Sequence, residues 1–186
     1  MKRVRRGGAY YRICGPDWEH ADDTSYAKGA GGRWNPRGEF GALYLNAGIE
    51  AAFANARRFI ESRFGATATP EDVEPAFLPQ LQEFSVASAR FVDAVSLEGR
   101  TLLGLSDYAP GAGHEACLAV ARSAYADGER GIASLSAVAP DHEELAIFDT
   151  FATALAKIHG SRKQFTEWYS PHVTSVPSTS AKRRRR

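Results

Sequence analysis

Cysteine is scarce in this sequence: Cys14 and Cys117 are the only two in 186 residues, they lie far apart, and neither belongs to a CxxC pair. That excludes a disulfide framework and a cysteine-built zinc site, and leaves reduced, buried thiols as the expectation. Histidine adds no metal pattern, because His20, His114, His142, His159 and His172 are scattered without the spacing of paired ligands. Asp141-His-Glu-Glu144 reads as a polar turn rather than a metal loop. Long apolar runs are also missing, and none approaches the ~20 residues of a membrane-spanning helix. The basic N-terminus runs into Gly7-Gly-Ala-Tyr10 and not into an apolar signal core, so a cytoplasmic protein without a membrane partner is expected. No internal repeat is visible.

Net charge is close to zero, at +1, but its distribution is uneven. Nine of the 23 Lys and Arg residues sit in the tails, as Lys2, Arg3, Arg5 and Arg6 and then Lys182 to Arg186. The stretch 7–181 holds the other 14 basic residues against 22 acidic ones, a net −8, which gives direct nucleic-acid binding no footprint in the body of the chain. Hydrophobic residues make up 44% and aromatics 11%, enough for the core of one domain. The expected division is a domain over 7–172, a basic arm over 1–6 and a disordered basic tail over 173–186.

Ala9 to Cys14 is aromatic and β-prone and stops at Gly15-Pro16, which predicts a first strand. Residues 15–39 lack periodicity and read as a long loop, a feature that in compact domains is functional or disordered. Phe40 to Leu45 is a second strand with Tyr44 opposite Leu43 and Leu45 in facing. Ile49, Ala52, Phe53, Ala56 and Ile60 recur at helical spacing behind an Asn46 N-cap region, predicting a helix over 47–63 with Glu50 in its first turn. A proline-rich connector over 66–80 leads to strands at 81–86 and 90–95. A second helix over 116–126 closes at Asp127-Gly128. Further strands follow at 131–136 and 145–148. The mixture predicts an α+β domain on a small sheet.

The sharpest motif is Lys28-Gly-Ala-Gly-Gly-Arg-Trp-Asn-Pro-Arg-Gly38. Gly31 and Gly32 allow close backbone approach, and Arg33 presents paired donors suited to phosphate, so the segment is a candidate diphosphate clamp. It is not a P-loop, which needs the glycine turn to open a helix with Lys-Ser or Lys-Thr. A Gly/Pro turn with solvent-facing arginines explains the same residues. Trp34 and Tyr26 offer rings to cover a base, although Trp34 packed under a loop fits equally well.

Tyr11-Arg12, the 29–38 segment, Ala42-Leu-Tyr-Leu45 and Glu50-Ala-Ala, followed by Arg90-Phe-Val-Asp93 and Gly131-Ile132 leading to Ser136, closely resemble RES domains over roughly residues 9–150. The resemblance implies an ADP-ribosyltransferase-like fold, with a small split mixed or antiparallel sheet flanked by helices and NAD held as substrate in a cleft. It also implies a toxin of a bacterial toxin–antitoxin pair that destroys NAD by hydrolysis or phosphorolysis, or transfers ADP-ribose to a protein. On the same basis Arg12 and Arg33 would hold phosphate or ribose, with Gly31, Gly32 and Trp34 in the cofactor-binding segment. Tyr44 would meet the nicotinamide end, and Ser136 would offer a hydroxyl to a ribose or phosphate oxygen. The implied partner is a small helical antitoxin, often carrying an Xre-like DNA-binding domain; a homo-oligomer is compatible, and no metal is implied.

Breaking the nicotinamide–ribose bond builds positive charge on the ribose, so a carboxylate near the sugar helps most in the transition state. The family places a glutamate eleven residues beyond the tyrosine, and here that position is Asn55. Asn55 accepts hydrogen bonds but cannot neutralise charge, and losing one electrostatic stabiliser costs on the order of 10²–10³ in rate. Glu39 and Glu50 are the nearby acids in sequence, without a geometric reason to prefer either. Three readings follow: NAD cleavage, mono-ADP-ribosylation of a protein, or a binding module that Asn55 has silenced.

Overall fold

A computed structural model describes residues 1–105 and 114–169. It is built on β1 (Arg3–Cys14), β2 (Ala42–Asn46), β3 (Gln80–Ala94), β4 (Gly131–Leu135), β5 (Glu143–Phe148) and β6 (Ala156–Lys163). Six α-helices accompany them among the described residues: α1 (Ser25–Ala30), α2 (Ile49–Phe64), α3 (Leu97–Leu102), α4 (Glu115–Ala126), α5 (Asp149–Leu155) and α6 (Phe165–Trp168), with short 3-10 turns at Pro70–Asp72 and Pro75–Phe77. The fold class is α+β, as the residues predicted, with a six-stranded mixed sheet.

β3 is the spine. One edge pairs antiparallel with β1, from Arg3↔Val92 to Cys14↔Gln80. The other edge pairs antiparallel with β6 near its start and in parallel with β4 at Val92–Ala94. β4, β5 and β2 continue as antiparallel neighbours, and β2 returns to β1 through Tyr11↔Asn46. The sheet therefore splits into β6-β3-β1 and β4-β5-β2, joined at two corners.

Strand alternation sorts the side chains. Leu43 and Leu45, Leu145 and Ile147, Phe84 and Phe91, and Tyr10 and Cys14 fill the core between the two halves. On the outer face of β4-β5-β2, Ala42, Ile132, Ala146 and Phe148 pack with Cys117, Ala121 and Ala124 of α4. Against β1 and β3, the face of α2 carrying Ala52, Ala56 and Ile60 packs with Leu81, Phe165 and Trp168.

Two expectations fail for one reason. The strand expected from Ala9 begins at Arg3, and the strands expected at 81–86 and 90–95 are a single β3. Between Arg6 and Gly8 the ladder shifts register in a β-bulge. Gly8 has φ +108°, and a Cβ on Gly7 would lie 2.7 Å from Ser88 Cα, so both glycines bend the strand without ending it. The residues expected to form a free basic arm are thus paired: Arg3 bonds Glu129, and Arg6 Nε donates to Glu143 at 2.6 Å. Deleting residues 1–6 removes four rungs of the β1–β3 ladder with these ion pairs, so thermal melting is expected to shift down; an unchanged transition would mark the segment as dispensable. The tail over 173–186 lies outside the described residues.

Candidate functional site

The long segment before β2 is ordered around one amide. Asn35 is fully buried, and its Nδ2 donates to Ala27 O at 2.7 Å and Phe40 O at 3.3 Å. Its backbone closes a tight turn with Gly32, whose N–H donates to Asn35 O at 2.8 Å. Tyr44 then locks the turn to β2: its hydroxyl donates to Asn35 Oδ1 at 2.8 Å and accepts from the Trp34 N–H at 2.9 Å. Burial raises the Tyr44 pKa, so the phenol stays neutral in this network. Glycine is required twice. Gly31 has φ +77°, and a Cβ on Gly32 would sit 2.6 Å from the Tyr44 hydroxyl.

Two adjoining clefts open beside this turn, sharing Gly31, Tyr44 and Glu144 as common wall. The first is bounded by Arg12, Trp18, Tyr26, Asn46 and Asn55. The second is bounded by Arg33, Arg37, Arg58 and His114. Most of the expected residues therefore meet: Arg12, Gly31, Tyr44 and Asn55 in one cleft, Gly31, Gly32, Arg33 and Tyr44 in the next.

Arg12 is buried, and its guanidinium donates to the carbonyls of Ala21 and Asp23 and lies 5.1 Å from the Trp18 ring. Among the described residues no carboxylate is within ion-pair distance of it, and Asp23 and Asp22 act on its charge from farther away. Trp18 packs at 5.6 Å against Tyr26, an exposed ring, and the two make an aromatic wall. Sequence reasoning had passed over Trp18.

Arg33 is held differently from a free clamp. Its Nη2 donates to Ser134 Oγ at 2.7 Å, to Leu135 O at 2.6 Å and to the Glu144 carboxylate. The side chains of this ion pair are 7% and 13% exposed, so both charges are largely withdrawn from water. Burial pushes the Glu144 pKa up, and Arg33 and the Ser134 hydroxyl pull against that shift. His114 is pushed down, first by burial and then by Arg33 and Arg58. The solvent-facing alternative for the motif fits Arg37, which is exposed, but not Arg33.

Two expected site residues are placed elsewhere. Trp34 is 1% exposed in the core under α4, and its indole N–H donates to Ser134 Oγ at 2.9 Å. It lines neither of the two adjoining clefts and borders, with Arg33 and Ser134, a separate smaller cavity, while its ring packs in the core cluster. Ser136 is fully buried, and its Oγ accepts from the N–H groups of Val138 and Ala139 at 3.4 and 3.3 Å, capping the turn after β4. The serine facing Arg33 is Ser134.

Asn55 lines the cleft from α2, with Nδ2 donating to Asn46 Oδ1 at 2.7 Å and Ala51 O at 3.1 Å. Neither acid weighed as its substitute is there. Glu39 pairs with Arg122 on the surface at 2.7 Å, and Glu50 is exposed at the start of α2. The cleft carboxylate is Glu144, from the segment that reads as a polar turn. His142 does close such a turn onto Ala139, but Glu143 and Glu144 already belong to β5. Alternation was the missed signal: Glu144 shares a strand face with Ala146 and Phe148, and Ala146 stands opposite Tyr44. Among the described residues no group of three or more His, Cys, Asp and Glu side chains is placed to hold a metal ion. His172 lies outside the described residues.

Fold and site together define an α+β protein whose split sheet frames a cationic, aromatic-walled cleft. The chain belongs to the RES-domain family, whose model matches residues 9–169. Among solved structures it is similar to a chain of the crystal structure of the M. tuberculosis MbcT–MbcA toxin–antitoxin complex, with a TM-score of 0.73, 20% identity and 90% of each chain covered. At that identity the likeness speaks for the fold. Comparison with curated proteins gives no match.

Proposed function

We propose that this RES domain is the toxin of a bacterial toxin–antitoxin pair, binding NAD and cleaving its nicotinamide–ribose bond. The observation that carries the reading is the cleft itself, where buried Arg12, the rings of Trp18, Tyr26 and Tyr44, and a carboxylate surround one space. An NAD molecule presents a diphosphate, two flat bases and a ribose that becomes positive as nicotinamide leaves. Arginines suit the first, aromatic faces the second and a carboxylate the third. Nicotinamide departs as a neutral base, so no general acid is needed at the leaving group.

Arg12 and the arginines of the second cleft orient the dinucleotide, while Tyr44, pinned by Asn35, supplies a rigid wall. The partner in this reading is a helical antitoxin, supported by the structural neighbour's place in a toxin–antitoxin complex, and the location is cytoplasmic. No helix among the described residues is long and apolar enough to cross a membrane.

Incubating the purified chain with NAD labelled in its adenylate half tests the reading. Free nicotinamide with unlabelled protein is expected. Label retained on protein would replace cleavage by mono-ADP-ribosylation, and binding without release of nicotinamide would leave a binding module, as the uncharged Asn55 suggests.

A further inference from the structure

Among the described residues lining the two adjoining clefts, Glu144 is the one acid. Its position relative to Asn55 follows from the sheet register. Glu144 pairs directly with Asn46 across β5 and β2, and Asn46 Oδ1 accepts the hydrogen bond from Asn55 Nδ2 at 2.7 Å. Directly opposed residues on antiparallel strands stand about 4.5–5.5 Å apart at Cα, with side chains on the same face. Ser134 extends the row as the partner of Glu144 on β4. Ser134, Glu144, Asn46 and then Asn55 thus form a continuous polar floor from Arg33 to α2.

We propose that Glu144 is the catalytic carboxylate of this cleft, taking over from β5 the charge that Asn55 on α2 lacks, and that its ion pair with Arg33 is the resting state. The inference rests on the NAD-cleavage reading. In the reaction the C1′–N bond of the nicotinamide ribose breaks with its electron pair leaving on nicotinamide, and the ribose takes up the positive charge. Glu144 stabilises that charge from a largely desolvated position, where a carboxylate acts more strongly than in water. A water oxygen then bonds to C1′ and gives its proton to the Glu144 carboxylate, which passes it to solvent. NAD⁺ and water thereby yield nicotinamide, ADP-ribose and one proton. The diphosphate competes with Glu144 for Arg33, so arrival of substrate exchanges the partners of both groups.

Three chains decide the point, each assayed for nicotinamide release and for NAD binding by calorimetry: wild type, Glu144→Gln, and Glu144→Gln combined with Asn55→Glu. Glu144→Gln is expected to lose about 100-fold or more in kcat while NAD affinity does not fall and rises if anything, because Arg33 is released to the diphosphate. The double variant is expected to regain about tenfold or more, because it restores an acid to the same floor. An unchanged kcat in Glu144→Gln, or a double variant as slow as the single one, overturns the assignment. Circular dichroism and melting establish that each variant is folded at the assay temperature. If Glu144→Gln is not, Glu144→Asp replaces it, with a loss of about tenfold expected and an unchanged kcat again overturning the proposal. Wild type and single variant together separate the two levels: a wild-type chain that binds no NAD, or binds it without releasing nicotinamide, removes the cleavage reading and Glu144's role with it, whereas wild-type release that persists undiminished in Glu144→Gln removes Glu144's role alone.

Discussion

Arg33→Ala is expected to lower the stability of the fold by about 3–5 kcal/mol and to abolish NAD binding at calorimetric concentrations. The first effect comes from what stays behind. Three acceptors converge on Arg33 Nη2: Ser134 Oγ, Leu135 O and the Glu144 carboxylate. Removing the guanidinium leaves an ionised carboxylate with 13% side-chain exposure and no counter-charge from Arg33. Breaking a buried pair in this way costs far more than the pair contributes over an apolar substitute, and the loss is a large share of the ~5–15 kcal/mol available to a folded domain.

The pH dependence gives this prediction its signature. Burial already raises the Glu144 pKa, with Arg33 opposing the rise, so loss of Arg33 raises it further. A carboxyl group whose folded pKa lies above its unfolded value favours the folded state when protonated. That contribution is fully present below the unfolded pKa and disappears as pH climbs through the folded one. The deficit of Arg33→Ala should therefore be smallest near the ordinary carboxyl value of 4.5 and should widen towards neutrality. Urea unfolding of both chains at the two ends of that range measures it. A pH-independent deficit of about 1 kcal/mol or less, as an exposed pair gives, would mean that water screens Arg33 and Glu144.

The parts legible in the sequence are those whose periodicity reports burial directly. α2 and α4 show their apolar faces at helical spacing, and β2 alternates Leu43 and Leu45 against Tyr44. β6 was invisible because it is a polar edge strand, in which Ala156 is buried and most of the following residues are exposed. α3 was missed for a similar reason, being six residues long with Gly99 as its buried member. Gly7 and Gly8 do not announce the strand that runs through them, because a bulge and a strand end use the same residue type. In the site, the Gly-Gly-Arg turn was legible as a motif, but its side-chain destinations were not. Arg33 meets Ser134, Leu135 and Glu144 more than 100 positions later in the chain. Only sheet register brings these together. The choice of Ser136 over Ser134 turns on the same register, since Ser134 stands opposite Glu144 whereas Ser136 has already left the strand.

Trp34 is the position where packing and ligand binding make opposite predictions, and Trp34→Ala is expected to cost about 3–5 kcal/mol, as truncation of a fully buried aromatic does. Its ring packs in the core cluster with Val92, Ala94 and Ile132, and its indole N–H ends on Ser134 Oγ at 2.9 Å. The same hydroxyl accepts from Arg33 and bonds Glu144, so its donor and both acceptor sites are engaged. Trp34→Phe keeps most of the ring volume and gives up that hydrogen bond, and a smaller loss of about 1–2 kcal/mol is expected. NAD affinity measured on the folded fraction should be nearly unchanged in the phenylalanine variant, because the backbone N–H that steadies Tyr44 remains. The converse result, wild-type stability in Trp34→Ala with NAD binding lost, would make Trp34 a ligand contact and overturn its place in the core. Since the indole N–H and Arg33 share Ser134, Trp34→Ala should also loosen Arg33, and its stability deficit should fall short of additivity with that of Arg33→Ala in a double-mutant cycle.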